Sequence, residues 1–206
     1  MSRARIKICG ITSARDAGAA VRAGADAIGI VFWTGSPRAR TQDEAASIAA
    51  TVPPLIARVG VFVNQTPAEV AASVAAVGLS AVQLHGDENP ADYDAVRVPV
   101  IRAVSLMTDD DVARAIAMPA GVTLLVDAHD PDRRGGTGRQ ASWTRAAGVA
   151  RARPIMLAGG LTPENVAEAI RLVGPWAVDV SSGVESAPGV KDVKKLEAFV
   201  AAVRSL

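Results

Sequence analysis

Short runs of valine, isoleucine and leucine alternate with alanine-rich stretches of helical period eight times along the chain. Few folds accept that pattern. The apolar runs predict strands at Ile6–Cys9, Ala27–Phe32, Ala57–Val63, Ala81–Leu84, Val100–Ala103, Thr123–Val126, Ile155–Leu157 and Ala177–Val180. The stretches between and after them predict helices at Ser13–Ala23, Thr41–Thr51, Pro67–Val77, Ala91–Val96, Asp109–Ala117, Trp143–Arg151, Pro163–Leu172 and about Val193–Val203. Thr41 with Glu44, Thr66 with Glu69, and Thr162 with Asn165 stand where helix caps belong. Gly24, Gly78 and Gly174 follow three helices where a left-handed stop is expected.

Eight strand–helix units in 206 residues allow about 25 residues each, the scale of a lean (β/α)8 TIM barrel of the α/β class. A doubly wound open sheet uses the same unit and is the competing architecture. Two features favour the barrel. No Gly-x-Gly-x-x-Gly follows the first strand, and polar residues recur at the ends of many strands instead of at one switch point. No linker or low-complexity tract divides the chain, so one domain over residues 1–206 is expected. An apolar content of 50% against 21% charged residues excludes a disordered chain. The net charge of +1 supplies no field for nucleic acid or an anionic membrane. Met1-Ser2-Arg3-Ala4-Arg5 lacks the apolar stretch of a signal peptide, and no apolar run approaches the ~20 residues that span a bilayer. The single cysteine makes no internal disulfide, which fits a reducing cytoplasm.

In a barrel of this kind the loops after the strands build the active site, so residues there belong to one set. Cys9 closes the first strand, with Gly10 behind it and Lys7 on the same strand face. The ammonium is expected to poise the thiolate near neutral pH for proton transfer, against the plainer role of a small buried hydrophobe. Asp127 ends the sixth strand as a carboxyl where burial should still be partial, fit to hold a proton near neutrality or to serve as a turn residue. Two groups of differing proton affinity are what an isomerisation by proton transfer needs. Gly159-Gly160 and Ser182-Gly183, after strands seven and eight, form small-residue turns that fit a phosphate. Gly135-Gly136-Thr137-Gly138 is a third contributor or a mobile lid. Arg38 faces the mouth with a guanidinium suited to a carboxylate. Asp179, between Val178 and Val180, points inward to hold a sugar hydroxyl or orient Arg38, or else pairs with Lys7. His85 is a wall residue or a site residue, and His129 a solvated one. The tryptophans are too scattered for nucleic-acid stacking, and one cysteine with two distant histidines makes no metal pattern.

Lys7-Ile8-Cys9-Gly10-Ile11-Thr12, Ser36-Pro37-Arg38, Gly60-Val61-Phe62, Gln83-Leu84-His85-Gly86 and Leu157-Ala158-Gly159-Gly160-Leu161 come in this order along the chain. Asp179-Val180-Ser181-Ser182-Gly183-Val184-Glu185 follows, with Pro188-Gly189 and Lys191-Asp192. Together they resemble the phosphoribosylanthranilate isomerases of tryptophan biosynthesis. The pattern departs at Ala141, where an aromatic two residues before Trp143 is more usual. The resemblance implies an Amadori rearrangement of N-(5-phosphoribosyl)anthranilate to 1-(2-carboxyphenylamino)-1-deoxyribulose 5-phosphate. It implies Asp127 as general acid, Cys9 as general base, Arg38 on the anthranilate carboxylate, and the turns after strands seven and eight on the phosphate. It implies no metal and no cofactor, a small phosphosugar-anthranilate substrate, neither nucleic acid nor membrane as partner, and a monomer or homodimer. The rivals are an indoleglycerol-phosphate synthase, a sugar-phosphate epimerase, an isomerase that also takes a histidine-pathway aminoaldose, and a catalytically silent phosphate-binding barrel.

Overall fold

The computed structural model describes the backbone of residues 4–127 and 136–206, and among these the side chains of all but 136–142. Eight parallel strands, β1 (Arg5–Ile8), β2 (Ala27–Val31), β3 (Ala57–Phe62), β4 (Ala81–Leu84), β5 (Val100–Ser105), β6 (Thr123–Asp127), β7 (Ile155–Ala158) and β8 (Ala177–Val180), pair in chain order. The last pairs with the first, with Lys7 opposite Asp179, so the sheet closes and the open-sheet alternative is excluded. Around the strands lie α1 (Ala14–Ala23), α2 (Gln42–Ala49), α3 (Pro67–Val77), α4 (Asp109–Ala117), α5 (Gly136–Ala152), α6 (Val166–Val173) and α7 (Val193–Arg204). A short hairpin, β9 (Glu185–Ala187) and β10 (Val190–Lys191), lies between β8 and α7. No described helix is long and apolar enough to cross a membrane.

The period-2 alternation of the strands divides the interior into two cores. Ile6, Ile8, Val82, Leu84, Leu124, Val126 and Val178 pack against the helices. The alternate residues Val59, Ala81, Ile101, Ala103, Leu125, Met156, Ala158 and Ala177 fill the barrel itself. The inward rows then turn polar toward the C-terminal mouth: Lys7 on β1 with Cys9 just past it, Gln83 on β4 with His85 just past it, Asp127 at the end of β6, and Asp179 on β8. The position of the site is thus fixed by strand period.

Thr41 with Glu44 and Thr66 with Glu69 form capping boxes, and Gly24, Gly78 and Gly174 stop their helices with positive φ. Thr108 with Asp111 makes a further box at α4. Beyond small shifts at element ends and an unexpected hairpin after β8, several elements differ from the sequence reading. The Ala91–Val96 helix shrinks to a single 3₁₀ turn at Pro90–Tyr93, because Pro99 keeps Val98 out of helical conformation and the chain must enter β5. β5 runs on to Ser105. α5 starts at Gly136, seven residues before Trp143, so Gly136-Thr137-Gly138 opens a helix; its glycines carry little helix propensity and concealed it. α6 starts at Val166, because Asn165 accepts from the Thr162 N–H (2.9 Å) and donates to the Gly160 carbonyl (2.9 Å), tying the preceding residues into a turn. Thr162 is therefore not the cap.

Candidate active site

A cavity of about 570 Å³ opens at the C-terminal end of the barrel. Cys9, Arg38, His85 and Asp127 line it, together with Gly159, Gly160, Asp179, Ser182 and Gly183. Every candidate site residue of the sequence reading therefore faces one space. Cys9 and Asp127 stand on opposite sides of the mouth, with β7 and β8 between them one way round and β2 to β5 the other. A second cavity of about 680 Å³ adjoins the first, sharing His85 and Asp127 and reaching α4 through Asp111 and Arg114.

Cys9 packs with Val31 and Val61 in a small apolar cluster. Gly29 makes that possible, since a Cβ there would lie 2.8 Å from the Cys9 sulfur. Burial pushes the thiol above its ordinary value; Lys7 and Lys191 pull against it, Asp179 with it, and burial wins. The expected thiolate near neutrality is corrected: the ammonium groups of Lys7 and Lys191 do not outweigh burial in an apolar pocket. Lys7 is 1% exposed and donates to Asp179 Oδ1 (2.9 Å) and Gln83 Oε1 (3.0 Å). Burial alone would lower its proton affinity, but Asp179 and Cys9 reverse this and raise it, so the ammonium stays charged. Asp179 consequently holds Lys7 and not Arg38, the plainest of the three sequence alternatives.

The partner of Arg38 is Glu185, a residue the sequence reading quoted in its motif but gave no role. Its carboxylate accepts from Arg38 Nε (2.8 Å) and Nη2 (2.5 Å), and from Lys191 Nζ (2.8 Å), which also donates to the Ser181 carbonyl (3.2 Å). Burial would push the Glu185 carboxyl up; the two cations outweigh it and hold the group low. The Glu185 bonds likewise raise Arg38 against its own partial burial, whereas burial prevails at Lys191 and lowers it. Two cations on one carboxylate leave one positive charge in excess beside Ser181-Ser182-Gly183. The signal in the sequence was a carboxylate just past the strand-eight turn with a lysine six residues on, which nothing but the hairpin brings together.

The two glycine turns meet at that charge. Gly159 and Gly160 both have positive φ (92° and 61°), and a Cβ on Gly183 would collide with the Leu161 carbonyl oxygen. The turns after β7 and β8 are in direct contact, and only small residues allow it. Across the mouth, Gln83 Nε2 lies 2.8 Å from His85 Nδ1, and His85 Nε2 lies 3.7 Å from Asp127 Oδ2. The Asp127 side chain is about one-third exposed (32%), open to the cavity. Trp33 and Ser36 also line the cavity beside Arg38, and neither was singled out as a site residue. His129 and Gly135, with any lid they belong to, lie outside the described residues, as does the Ala141 side chain.

The profile of the family described as N-(5'-phosphoribosyl)anthranilate (PRA) isomerase matches residues 6–202. The chain belongs to this family. The PRA isomerase of Pseudomonas fluorescens (strain Pf0-1) is 47% identical over 205 residues, covering 99% of this chain and 100% of the relative. That of Thiobacillus denitrificans is 46% identical and covers 98% of each chain. Among solved structures, the PRA isomerase of Thermotoga maritima superposes with a TM-score of 0.90 at 40% identity, covering 98% of this chain and all of the other. A PRA isomerase in complex with reduced 1-(o-carboxyphenylamino)-1-deoxyribulose 5-phosphate gives 0.88 at 39%, with the same coverage. Membership makes the chain an isomerase of tryptophan biosynthesis and sets aside the synthase and epimerase alternatives.

Proposed function

We propose that the cavity carries out the Amadori rearrangement of N-(5-phosphoribosyl)anthranilate with Asp127 as general acid and Cys9 as general base. Asp127 protonates the furanose ring oxygen, the C1–O bond breaks, and the nitrogen lone pair closes an iminium at C1. Cys9 removes the C2 proton, and the electrons return through C1 to nitrogen as an enolamine. Loss of the C2 hydroxyl proton and protonation of C1 complete the aminoketose. Protons and electrons balance within the substrate and these two groups. The raised proton affinity of Cys9 makes its thiolate a stronger base towards a carbon acid, at the expense of its population. The iminium formed beside it acidifies C2 and favours the thiolate. Arg38, held from behind by Glu185, takes the anthranilate carboxylate, with Trp33 flanking the ring. The turns at Gly159-Gly160 and Ser182-Gly183 take the phosphate with the excess positive charge behind them. A free thiol at the reacting centre suits the cytoplasm.

The observation that carries this reading is the convergence of Cys9 and Asp127 on one cavity that also holds Arg38 and both turns. The test follows the loss of anthranilate-type fluorescence when protein meets freshly made phosphoribosylanthranilate. Cys9→Ala and Asp127→Asn are each expected to lose about 10²–10⁴-fold or more in turnover, the worth of a proton-transfer group. Both should still bind the reduced aminoketose phosphate. Full activity in either variant overturns the assignment.

A further inference from the structure

The polar layer beneath the mouth fixes the tautomer of a histidine. Lys7 Nζ has only hydrogens to offer, so the Gln83 atom 3.0 Å from it is the amide oxygen. The Gln83 NH2 group must then face His85, at 2.8 Å from Nδ1. A nitrogen that meets an N–H donor at that distance is an acceptor, so the neutral imidazole carries its proton on Nε2. That nitrogen faces Asp127 Oδ2 at 3.7 Å, and a movement of about half an ångström brings it within hydrogen-bond range.

The backbone carrying His85 is braced as well. Glu88, 8% exposed, accepts from the N–H of Gly86 (2.7 Å) and of Asn64 (2.6 Å) and from Arg102 Nη1 (3.1 Å). Asn64 sits at a left-handed φ of 60°, the single non-glycine residue described with positive φ, and its Oδ1 accepts from Asp87 N–H (2.7 Å). Such strain in a non-glycine residue persists where the surroundings over-determine it. His85 is therefore held by its main chain on one side and by Gln83 on the other, with one ring edge aimed at the carboxyl. Of the other charged groups described around this ring, Lys7 on β1 pairs with Asp179 on β8 and Arg102 on β5 with Glu88, while Asp87 lines the adjoining cavity. Asp111 and Arg114 of α4, which line the adjoining cavity, pair with each other.

We propose that His85 is a positioning residue for Asp127, locked as the Nε2–H tautomer by the Lys7–Gln83 relay so that it donates to the Asp127 carboxylate once the proton has left for the ring oxygen. This rests on Asp127 being the acid, but the tautomer itself does not. The chain has two histidines, His85 and His129, so ¹⁵N-histidine labelling gives two ring systems and His85→Asn assigns them. In the neutral His85 ring, Nε2 is expected to carry the proton and Nδ1 none, and Gln83→Leu to lose that preference. A neutral ring protonated on Nδ1 in the unaltered protein overturns the inference and leaves the acid assignment standing. In turnover, the His85→Gln amide reaches the Nε2 position, whereas that of His85→Asn reaches only Nδ1. His85→Asn should lose about 10–100-fold in kcat with KM little changed, the loss typical when a partner orienting a reactive ligand is removed. His85→Gln should lose no more than about tenfold. Equal losses in the two variants overturn the positioning role. Full turnover in Asp127→Asn removes the acid assignment while leaving the tautomer in place. Should Gln83→Leu fail to fold, the spectrum of the unaltered protein and the His85 pair still decide.

Discussion

Replacing Lys7 with Met removes one half of an ion pair shut away from water. The two side chains are 1% and 9% exposed and meet at 2.9 Å. Lys7→Met therefore leaves the Asp179 carboxylate buried without the cation that pairs with it. Breaking such a pair costs about 3–5 kcal/mol, because the stranded charge has lost its hydration and gained nothing. Lys7→Met/Asp179→Leu removes the stranded charge too. An apolar pair of similar volume is often neutral against the original ions, so the remaining penalty is the unpaired Gln83 oxygen, about 1–3 kcal/mol. The second substitution is thus expected to restore stability although it deletes another native group. Urea denaturation followed by circular dichroism reads both. With a slope of about 2 kcal/mol/M, Lys7→Met should lower the midpoint by on the order of 2 M, and the double variant should recover at least half of that. A double variant less stable than Lys7→Met would refute the reasoning, since the pair would then be contributing packing alone.

Three further outcomes follow from the site. Glu185→Gln frees Arg38 while adding net positive charge, so a pure charge effect would tighten every anion; loss of orientation should instead raise KM by roughly 10–100-fold, as hydrogen bonds to charged groups are worth about 1.5–3 kcal/mol, with inorganic phosphate bound no more weakly. A lower KM in steady-state kinetics would sink that role for Glu185. Alkylation of Cys9 by iodoacetamide should keep accelerating with pH beyond 9.0, the ordinary thiol value, because burial raises the group; Lys7→Met removes a stabilising cation and should move the curve higher still. A plateau near neutral pH contradicts this. Gly183→Ala drives a methyl into the Leu161 carbonyl, so thermal denaturation should show an overpacking loss of about 1–3 kcal/mol, and calorimetry weaker phosphate binding; unchanged phosphate affinity would remove the turn from the anion site.

Strand period was the readable part of this chain. Once Ile6 and Ile8 are assigned to the helix-facing side, Lys7 and Cys9 must face the barrel axis, and the same rule brings His85, Asp127 and Asp179 to the mouth. What the period does not carry is which inward neighbours bond to one another. Lys7 and Asp179 are 172 positions apart and meet because β1 and β8 close the barrel in a particular register. Glu185 reaches Arg38 and Lys191 through a hairpin too short to leave a pattern. The ionisation of Cys9 was misjudged for the same reason: a lysine two residues away is visible in the sequence, but the valines of β2 and β3 that dry the pocket belong to other strands. Helix ends were legible where a Thr–Glu pair or a stop glycine marks them, and not where Asn165 turns back on its own loop.

The closure of β8 on β1 also sets when the protein acquires its chemistry during synthesis. The thiol is synthesised well before β8, which brings the carboxylate that settles its lysine neighbour, and Arg204, later again in the chain, fastens onto the carbonyls of Ala4 and Gly24. A nascent chain that stops short of β8 holds its nucleophilic atom in an unfinished wall, and a competent pocket is assembled only when β8 closes on β1.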